Sequence, residues 1–321
     1  MRVLITGAGG FVGRHLANLC AGEGATVVGC GRDAAPPGSL PASVADYVRA
    51  DLSYVAEASR AVRRAAPERV LHLAASASVA ASWSDPAAVL ANNLSSTANV
   101  LEAVASVAPG ARVLVACSGE QYGPVPAERL PVTEDEPLRP QNPYAVSKAS
   151  ADLLAGFYAD ARGLDVVRTR AFNHAGPGQA TAYVVSSFAR QIAAAEAAGE
   201  TRLEVVTGNL SVRRDFTDVR DVVRAYWLLL ERGTAGEAYN VCSGESVPVA
   251  DILAGLGVHS ELEIAQRTDP SLVRAHDVME IRGSHSKLTE ATGWRPELPL
   301  ARTLRDTLDW WRERSGREVS V

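Results

Sequence analysis

The first 170 residues alternate short apolar runs rich in β-branched residues with longer stretches of helical pattern. Such runs are typical of strands buried on both faces, and the helices between them cover the two faces of a parallel sheet. The apolar runs are VLIT (3–6), ATVVG (25–29), VLHLA (70–74), RVLVAC (112–117) and LDVVRTR (164–170). Helices are expected at 11–23, 54–66, 86–106 and 143–162. With right-handed crossovers, this order predicts a doubly wound α/β fold of the Rossmann type.

Beyond Pro177 the alternation is less regular. With 321 residues, the chain exceeds the size at which single hydrophobic cores usually stop growing, so two joined lobes are expected. A helix at 218–232, a strand at 238–242 and a C-terminal helix belong to this second half. We therefore predict a Rossmann domain and a smaller C-terminal α/β lobe that binds the substrate. The domain is assigned residues 1–172 plus about 216–243, and the lobe residues 173–215 and 244–321.

The charge and the cysteines limit the partners and the compartment. The formal net charge is -5, and no run of five like charges occurs, so neither nucleic acid nor a membrane surface is expected as a partner. No stretch has the length and apolarity of a membrane span or signal peptide. The four cysteines form no CxxC pair, which disfavours a disulfide framework or a metal site. A protein of the reducing cytoplasm is the expectation.

Three glycines follow the first apolar run, in TGAGGFVG, where a helix is expected to begin. Glycine permits a tight turn, lets backbone approach a pyrophosphate and allows a helix to pack closely on a strand. The helix N-terminus then faces the phosphates. The strand before and the helix after the motif supply the context that a dinucleotide site requires. We expect the cofactor to contact Gly7, Gly10, Phe11, Val12 and Gly13.

The choice of nicotinamide cofactor depends on the end of the second strand, in VVGCGRD. Arg32 stands where an acidic residue would bind the ribose hydroxyls of NAD(H), and a guanidinium suits the 2′-phosphate of NADP(H). NADP(H) is therefore preferred, although Asp33 follows at once and a shift of one residue would favour NAD(H). Asp51, beside Leu52 after the third strand, either accepts from the adenine amino group or caps a helix.

A hydroxyl and a carboxylate follow the RVLVAC run in CSGEQYG, at Ser118 and Glu120. Tyr144 and Lys148 lie four residues apart at the start of a helix, in NPYAVSK, so they share one face. A positive charge near a phenol lowers its pKa from about 10 toward neutral pH, which makes it a usable proton donor. A solvated helix face could carry the same pair, but the glycine motif and the serine at a strand end favour a catalytic site. Tyr122 is expected to pack at the strand end.

The combination of glycine triplet, Ser118, Tyr144 and Lys148 resembles the extended short-chain dehydrogenase/reductases that act on nucleotide sugars. Further segments resemble GDP-4-dehydro-6-deoxy-D-mannose reductases and, less closely, GDP-mannose 4,6-dehydratases. These segments are HLAASASVAASW (72–83), FNHAGPGQ (172–179), GNLSVRRDFTDVRDVVRAY (208–226), YNVCSG (239–244) and DPSLVRAHDV (269–278). The resemblance implies that Leu73, Ala74 and Ala75 also contact the cofactor.

The resemblance also implies which groups hold the substrate. Asn173, Arg214 and Arg274 match positions that bind the diphosphate, a role that planar guanidinium groups fulfil well. A surface salt bridge is the alternative for Arg274. Asn209 and Asp277 either contact the sugar or ribose or cap loops.

Two helices and one histidine complete what the resemblance implies. The helices at 86–106 and 143–162 would form the face of a homodimer. Asn93 either steadies the neighbouring helix through water or is a solvated helix residue. His174 is expected to pack or to orient its neighbours.

The reaction depends on Gly119. A reductase needs a hydride donor, an anchor for the oxygen and a proton donor, and NADPH, Ser118 and Tyr144 would fill these roles with Lys148 orienting the ribose. Related dehydratases carry Thr-Asp-Glu or Thr-Ser-Glu at this strand end. Here the middle residue has no side chain, so Glu120 lacks a local acid beside it. We expect reduction of a GDP-4-keto-6-deoxyhexose.

Three other functions remain open on the same scaffold. A GDP-mannose 4,6-dehydratase would use Glu120 as its base. A nucleotide-sugar 4-epimerase would hold NAD and need no glutamate. A non-catalytic NADP-binding regulator would be expected to lose Tyr144 or Lys148, and both are present.

Overall fold

Seven parallel strands form the central sheet of the computed structural model, which describes residues 1–34, 40–272 and 278–318. Their order is β10-β6-β5-β4-β1-β2-β3. The strands of this sheet and of the smaller ones are β1 (Arg2–Thr6), β2 (Thr26–Gly31), β3 (Val44–Arg49), β4 (Arg69–His72), β5 (Arg112–Ser118), β6 (Val166–Ala171), β7 (Asn173–Ala175), β8 (Arg202–Thr207), β9 (Arg213–Asp218), β10 (Ala238–Val241), β11 (Ser246–Pro248), β12 (Glu263–Thr268) and β13 (Glu280–Ile281). The predicted doubly wound α/β fold is confirmed.

Helices cover both faces of this sheet. They are α1 (Phe11–Gly22), α2 (Val55–Ala65), α3 (Val79–Ser84), α4 (Pro86–Val107), α5 (Pro143–Arg162), α6 (Val184–Ala197), α7 (Val219–Arg232), α8 (Val249–Gly257), α9 (Ser286–Thr292) and α10 (Leu300–Glu318). The predicted strands and helices lie within two residues of these bounds. None of the described helices is long and apolar enough to cross a bilayer.

Alternate residues of each strand serve two separate cores, as the period of two requires. Val3 and Ile5 of β1 pack in the core that contains α1 and α7. Leu4, between them, packs in the core that contains α2 and α4. Because both faces are covered, the strands read as continuous apolar runs in the sequence.

The smaller lobe has its own core, formed where α6, α8 and α10 pack together. Two short sheets accompany it: β12 pairs with β8, and β9 pairs with β7, β11 and β13. The sequence did not indicate these strands, because most are short or largely exposed and lack a continuous apolar run. The residue bounds assigned to the two domains remain a prediction.

Helix α5 begins and ends where its sequence directs. The Asn142 side chain accepts from the backbone N–H of Ala145 at 2.8 Å, and Pro143 occupies the first helical position, where its missing N–H costs nothing. Gly163 ends the helix in the left-handed conformation at φ 63. This fixes the register of Tyr144 and Lys148 in the first turn.

A buried ion cluster ties α5 to β6. The Asp152 carboxylate, fully buried, accepts from Arg170 Nε at 2.8 Å and from Arg168 Nη1 at 2.7 Å. Gln121 Nε2, from the turn after β5, donates to the same carboxylate at 2.7 Å. Burial alone would raise the pKa of Asp152, but the hydrogen bond and charge of Arg170, with the charge of Arg168, outweigh it and lower the pKa.

Candidate active site

One large cleft opens along the carboxyl ends of the central strands, where doubly wound folds bind ligands. Its volume is about 1130 Å³. The predicted site residues that the structure describes all line it. They are Gly7, Gly10, Phe11, Val12, Gly13, Arg32, Asp51, Leu52, Leu73, Ala74, Ala75, Ser118, Glu120, Tyr144, Lys148, Asn173, Asn209 and Arg214. Arg274 and Asp277 lie outside the described residues.

The glycine turn has the geometry of a phosphate cradle. Gly7 adopts φ 72, a conformation that favours glycine, and a Cβ on Gly13 would lie 2.8 Å from Ala8 Cα. Gly10 caps α1, and no side chain occupies the helix N-terminus. The first-turn N–H groups can therefore bind a pyrophosphate, so the residues present fit a dinucleotide.

Both candidate residues for cofactor choice line the cleft at the end of β2. Arg32 and Asp33 are exposed and line the cleft. The backbone of this turn is held from β3, because Tyr47 OH donates to Asp33 O at 3.0 Å and Arg49 Nε donates to Arg32 O at 3.0 Å. These bonds hold the backbone, and both side chains line the cleft.

Asp51 holds a turn and does not cap a helix. Its Oδ1 accepts from Ser53 N at 3.0 Å and from Ser53 Oγ at 2.7 Å, and these bonds lower the pKa of the carboxyl. The residue that caps α2 is Tyr54, without a side-chain bond. The alternative that Asp51 caps a helix is therefore wrong, since its bonds close the turn that precedes α2.

Ser118 and Tyr144 meet on the floor of the cleft. Ser118 ends β5 and is buried, and its hydroxyl accepts from Glu120 N at 3.2 Å. The phenol of Tyr144 lines the same part of the cleft. Burial raises the pKa of Tyr144 well above its ordinary value, while the nearby Ser118 hydroxyl lowers it and the charge of Glu120 raises it further. The phenol is thus held in its protonated form.

The ammonium of Lys148 is held by the backbone of β5. Its Nζ donates to Ala116 O of β5 at 2.7 Å, and burial lowers its pKa. The expected lowering of the Tyr144 pKa by this ammonium is not found, because Nζ is bonded to the carbonyl of Ala116 and the effect of burial on the phenol dominates. Lys148 still lines the cleft one helical turn from Tyr144.

Gly119 has no room for a side chain, because the ring of Phe172 lies against it. A Cβ at this position would come within 3.0 Å of Phe172 Cδ2. The same ring would lie 2.7 Å from a Cβ on Gly283. Glu120, the next residue, is half-buried, and its Oε2 accepts from Asn142 Nδ2 at 3.4 Å. No side chain at 119 reaches the cleft.

Tyr122 packs as the sequence indicated. Its side chain is fully buried, its OH donates to Asn240 Oδ1 at 2.7 Å, and Arg170 Nη1 donates to it at 3.0 Å. The residue does not line the cleft. It is a structural neighbour of Phe172, at a ring distance of 6.2 Å.

The described residues that were predicted to bind the substrate come from β7, β9 and the loop between β8 and β9. Asn173 begins β7, and Arg214 in β9 donates through Nη1 to Val278 O at 2.7 Å. Asn209 Oδ1 accepts from Ser211 N at 3.0 Å and from Ser211 Oγ at 2.7 Å, so it caps a turn, which is one of its two expected roles. All three still line the cleft.

Several cleft residues carried no clear signal in the sequence. Tyr183, which precedes α6, reaches across the cleft so that its OH donates to Ala77 O at 3.5 Å. Gln179 and Thr207 are buried in the same cleft. Tyr183 and Thr207 lie in loops or at the end of short strands, where periodicity indicates little. Gln179, the last residue of FNHAGPGQ, could have been found from that motif.

His174 packs against the cofactor helix, in line with its expected orienting role. Its ring stacks on Phe11 at 6.1 Å with an interplanar angle of 9°. Its Nδ1 lies 3.0 Å from Phe172 O. Burial lowers the pKa of His174, which keeps the ring neutral beside the cleft.

Asn93 is buried and contacts two elements directly. Its Oδ1 accepts from Ser76 N at 2.7 Å, and its Nδ2 donates to Ser147 Oγ at 2.8 Å. The alternative of a solvated helix residue is therefore wrong. The bonds join α4 to the loop after β4 and to α5.

Comparison with known proteins gives one consistent result. A family model described as GDP-mannose 4,6 dehydratase matches residues 4–307. The chain is 37% identical over 319 residues to GDP-6-deoxy-D-mannose reductase of Pseudomonas aeruginosa, with 99% of each protein covered. It is 28% identical over 327 residues to UDP-glucose 4-epimerase of Mycolicibacterium smegmatis, covering 98% of this chain and 100% of that protein.

Solved structures of similar fold include relatives of the same kinds. RMD from Pseudomonas aeruginosa complexed with NADPH has a TM-score of 0.85 at 34% identity, with 98% of each chain covered. UDP-glucose 4-epimerase of Thermus thermophilus in complex with NAD has a TM-score of 0.86 at 31% identity, covering 97% of this chain and 99% of that one. The resemblance found in the sequence is confirmed: the chain belongs to the GDP-mannose 4,6 dehydratase family of short-chain dehydrogenase/reductases.

Proposed function

We propose that this enzyme reduces the 4-keto group of a GDP-4-keto-6-deoxyhexose with NADPH, giving GDP-rhamnose or its C4 epimer. The observation that carries the proposal is that Ser118 and Tyr144 line one cleft beside Gly119, which has no side chain to act as an acid. The similarity to GDP-6-deoxy-D-mannose reductase and to the NADPH complex of RMD supports it.

NADPH, when bound, supplies the hydride that adds to C4. The glycine turn and the N-terminus of α1 would hold its pyrophosphate, and Arg32 would bind the 2′-phosphate. Lys148, on the face of α5 that lines the cleft, would bind the nicotinamide ribose. NAD(H) is the less favoured cofactor, since Asp33 also faces this end of the cleft.

The chain's own groups account for the proton. The Ser118 hydroxyl donates to the C4 oxygen and holds it in place, and Tyr144 OH transfers its proton to that oxygen as negative charge develops there. A phenol with a raised pKa is protonated at neutral pH, which is the state that reduction requires. Glu120 acts here through its charge, which favours the protonated phenol. Asn173, Asn209 and Arg214 would bind the diphosphate and sugar, with Arg274 and Asp277 proposed as further contacts.

Dehydration is less well supported by the same geometry. Loss of water from C6 needs an acid near the leaving hydroxyl, and Gly119 supplies none. Phe172 fills the space next to that position. A 4-epimerase remains a candidate because the scaffold is shared with UDP-glucose 4-epimerases, but the solved relative from Thermus thermophilus holds NAD, and Arg32 favours NADP.

The test of the proposal is a comparison of substrates. Purified enzyme mixed with NADPH and GDP-4-keto-6-deoxymannose is expected to lose the absorbance of the reduced nicotinamide, and NADH is expected to serve less well. GDP-mannose with NADP should give no keto sugar. Formation of that keto sugar, with no oxidation of NADPH, would assign the chain to the dehydratases instead.

We further propose that the enzyme works as a homodimer in the cytoplasm. The four cysteines are free and buried, as suits a reducing compartment. Helices α4 and α5 expose apolar side chains that a partner subunit would cover. They are Leu94 (39% exposed), Val146 (38%), Leu153 (65%) and Phe157 (56%).

Charged residues on this face should separate the subunits. The double variant Leu153→Glu with Phe157→Glu is expected to be a monomer, since carboxylates cannot be buried unpaired in an interface. Sedimentation velocity of the variant and the parent protein measures the change. The control is Tyr54→Glu, at an aromatic residue that is 64% exposed outside these helices. A parent protein that sediments as a monomer, or a variant that stays dimeric, would contradict the proposal.

A further inference from the structure

His72 connects two parts of the active site without touching the cleft. It ends β4 beside Thr6, the last residue of β1, and both side chains are buried. Thr6 Oγ1 lies 2.9 Å from His72 Nδ1, and Thr97 Oγ1 of α4 lies 3.2 Å from His72 Nε2. The ring thus joins the central sheet to α4 through two hydroxyl groups.

The directions of these bonds follow from the groups around them. Thr6 Oγ1 accepts from the backbone N–H groups of Leu73 and Ala74, each at 3.2 Å, and the Leu73 N–H also donates to Thr6 O at 3.2 Å. Its own proton is then available for His72 Nδ1. Thr97 Oγ1 donates to Asn93 O at 2.8 Å, and a carbonyl can only accept. Thr97 therefore accepts from His72 Nε2–H, and the ring is the neutral tautomer with its proton on Nε2.

Burial, with a smaller effect from the charge of Lys148, lowers the pKa of His72 to about 3. The neutral form persists across the working range of pH. A protonated ring would point a second N–H at Thr6 Oγ1, whose lone pairs already accept from two backbone donors. The bond pattern and the electrostatics thus require the same tautomer.

One end of this network fixes the cofactor loop. Leu73 and Ala74 line the cleft, and a Cβ on Gly7 would lie 3.1 Å from Ala74 N, so the loop packs directly on the glycine turn. Donation from the Thr6 hydroxyl to His72 Nδ1 fixes the rotation of that hydroxyl, so that its lone pairs face the two N–H groups.

The other end reaches the catalytic helix. The amide of Asn93 accepts from Ser76 N at 2.7 Å and donates to Ser147 Oγ at 2.8 Å. Ser147 Oγ in turn donates to Tyr144 O at 2.7 Å. Hydrogen bonds therefore run from the cofactor loop through Thr6, His72 and Thr97 to the Asn93 carbonyl, and from the Asn93 side chain through Ser147 to the backbone of Tyr144.

We infer that His72 is a positioning residue, which as a neutral ring with Nε2 protonated fixes the cofactor loop at 73–76 relative to the phenol of Tyr144. The inference rests on the proposed reaction for its kinetic part only. Hydride transfer requires C4, the nicotinamide and the proton donor in one arrangement, and a shift of about an ångström can cost about 100-fold in rate.

Two substitutions test the hydrogen bonds of the ring. His72→Phe keeps a ring of similar size but removes both bonds, and Thr97→Val removes only the hydroxyl that accepts from Nε2. We expect His72→Phe to weaken NADPH binding and lower kcat, each by about tenfold or more, and Thr97→Val to lower kcat by roughly fivefold. His72→Gln, which can still donate from its side-chain amide, should restore part of kcat relative to the phenylalanine variant.

The matched control is Thr307→Val in α10. Thr307 is fully buried, and its hydroxyl donates to Thr303 O at 2.7 Å, four residues back, as Thr97 does to Asn93. Both valine variants should lower the melting temperature alike, whereas only Thr97→Val should change kcat. The double variant His72→Phe with Thr97→Val should lose less kcat than the two single variants combined, because both residues act on one network.

NADPH affinity is measured by isothermal titration calorimetry without any sugar, so it reports on His72 even if the substrate proves to be different. The contrary result is that the His72 variants melt at lower temperature but keep the NADPH affinity and kcat of the parent within about twofold, as expected for Thr307→Val. That result would make His72 an ordinary core residue and overturn the inference. An equal loss of kcat in His72→Gln and His72→Phe would also overturn the inference, because a hydrogen-bond donor at this position would then make no difference.

Discussion

Tyr144→Phe is expected to lower kcat by between about 10² and 10⁴, the range that positioned proton donors contribute. The ring keeps its place beside Ser118, but no proton reaches the C4 oxygen. NADPH binding should change little, because Lys148 and the glycine turn are intact. Stopped-flow absorbance of the reduced nicotinamide measures the hydride step, and calorimetry measures the affinity.

Tyr122→Phe is the matched control for this prediction. Its phenol is also buried, but it bonds to Asn240 and does not line the cleft. We expect this variant to lose stability while its kcat stays near that of the parent. A Tyr144→Phe enzyme with the parent's kcat would remove the phenol from the mechanism.

Asp152→Asn is expected to lower the free energy of unfolding by about 3–5 kcal/mol, the usual cost of breaking a buried ion pair from one side. The guanidinium groups of Arg168 and Arg170 stay buried without their carboxylate. Because the folded pKa of Asp152 is lowered, its contribution is present above the unfolded value of about 3.9 and is lost as the pH falls below it. Urea denaturation at about pH 7.5 therefore measures the full effect.

Asp160→Asn provides the comparison, since Asp160 is exposed on the same helix. We expect a change within about 0.5 kcal/mol there. A loss below about 1 kcal/mol for Asp152→Asn would show that the two arginines find other partners. Because Gln121 bonds to Asp152 from the turn after Ser118, kcat should fall as well.

Local chemistry made the Rossmann part of the fold predictable. The bounds of α5 follow from Asn142 and Pro143 at its start, and the buried strands follow from short apolar runs rich in β-branched residues. The short strands of the second lobe, such as Glu280–Ile281, depend on partners distant in sequence. No periodicity can be seen in two residues.

The candidate site was also only partly predictable from the sequence. Motifs located the residues that line the cleft, because glycine, serine, tyrosine and lysine occur there at characteristic spacings. Their partners could not be found by spacing. Lys148 bonds to a backbone carbonyl 32 positions away, and Asn93 reaches Ser147 across 54 positions. Only packing of α4 and α5 on the sheet brings those groups together.

The strand order has a consequence for how the chain is made. Strand β10 (Ala238–Val241) lies at one end of the sheet and pairs with β6, which precedes it by some seventy positions. Until the ribosome has released β10, β6 presents an open edge of unpaired N–H and C=O groups, which invites association with other chains. We therefore expect the nascent chain to expose this edge between the synthesis of Ala171 and that of Val241. Shielding by a chaperone would matter most during that stretch of synthesis.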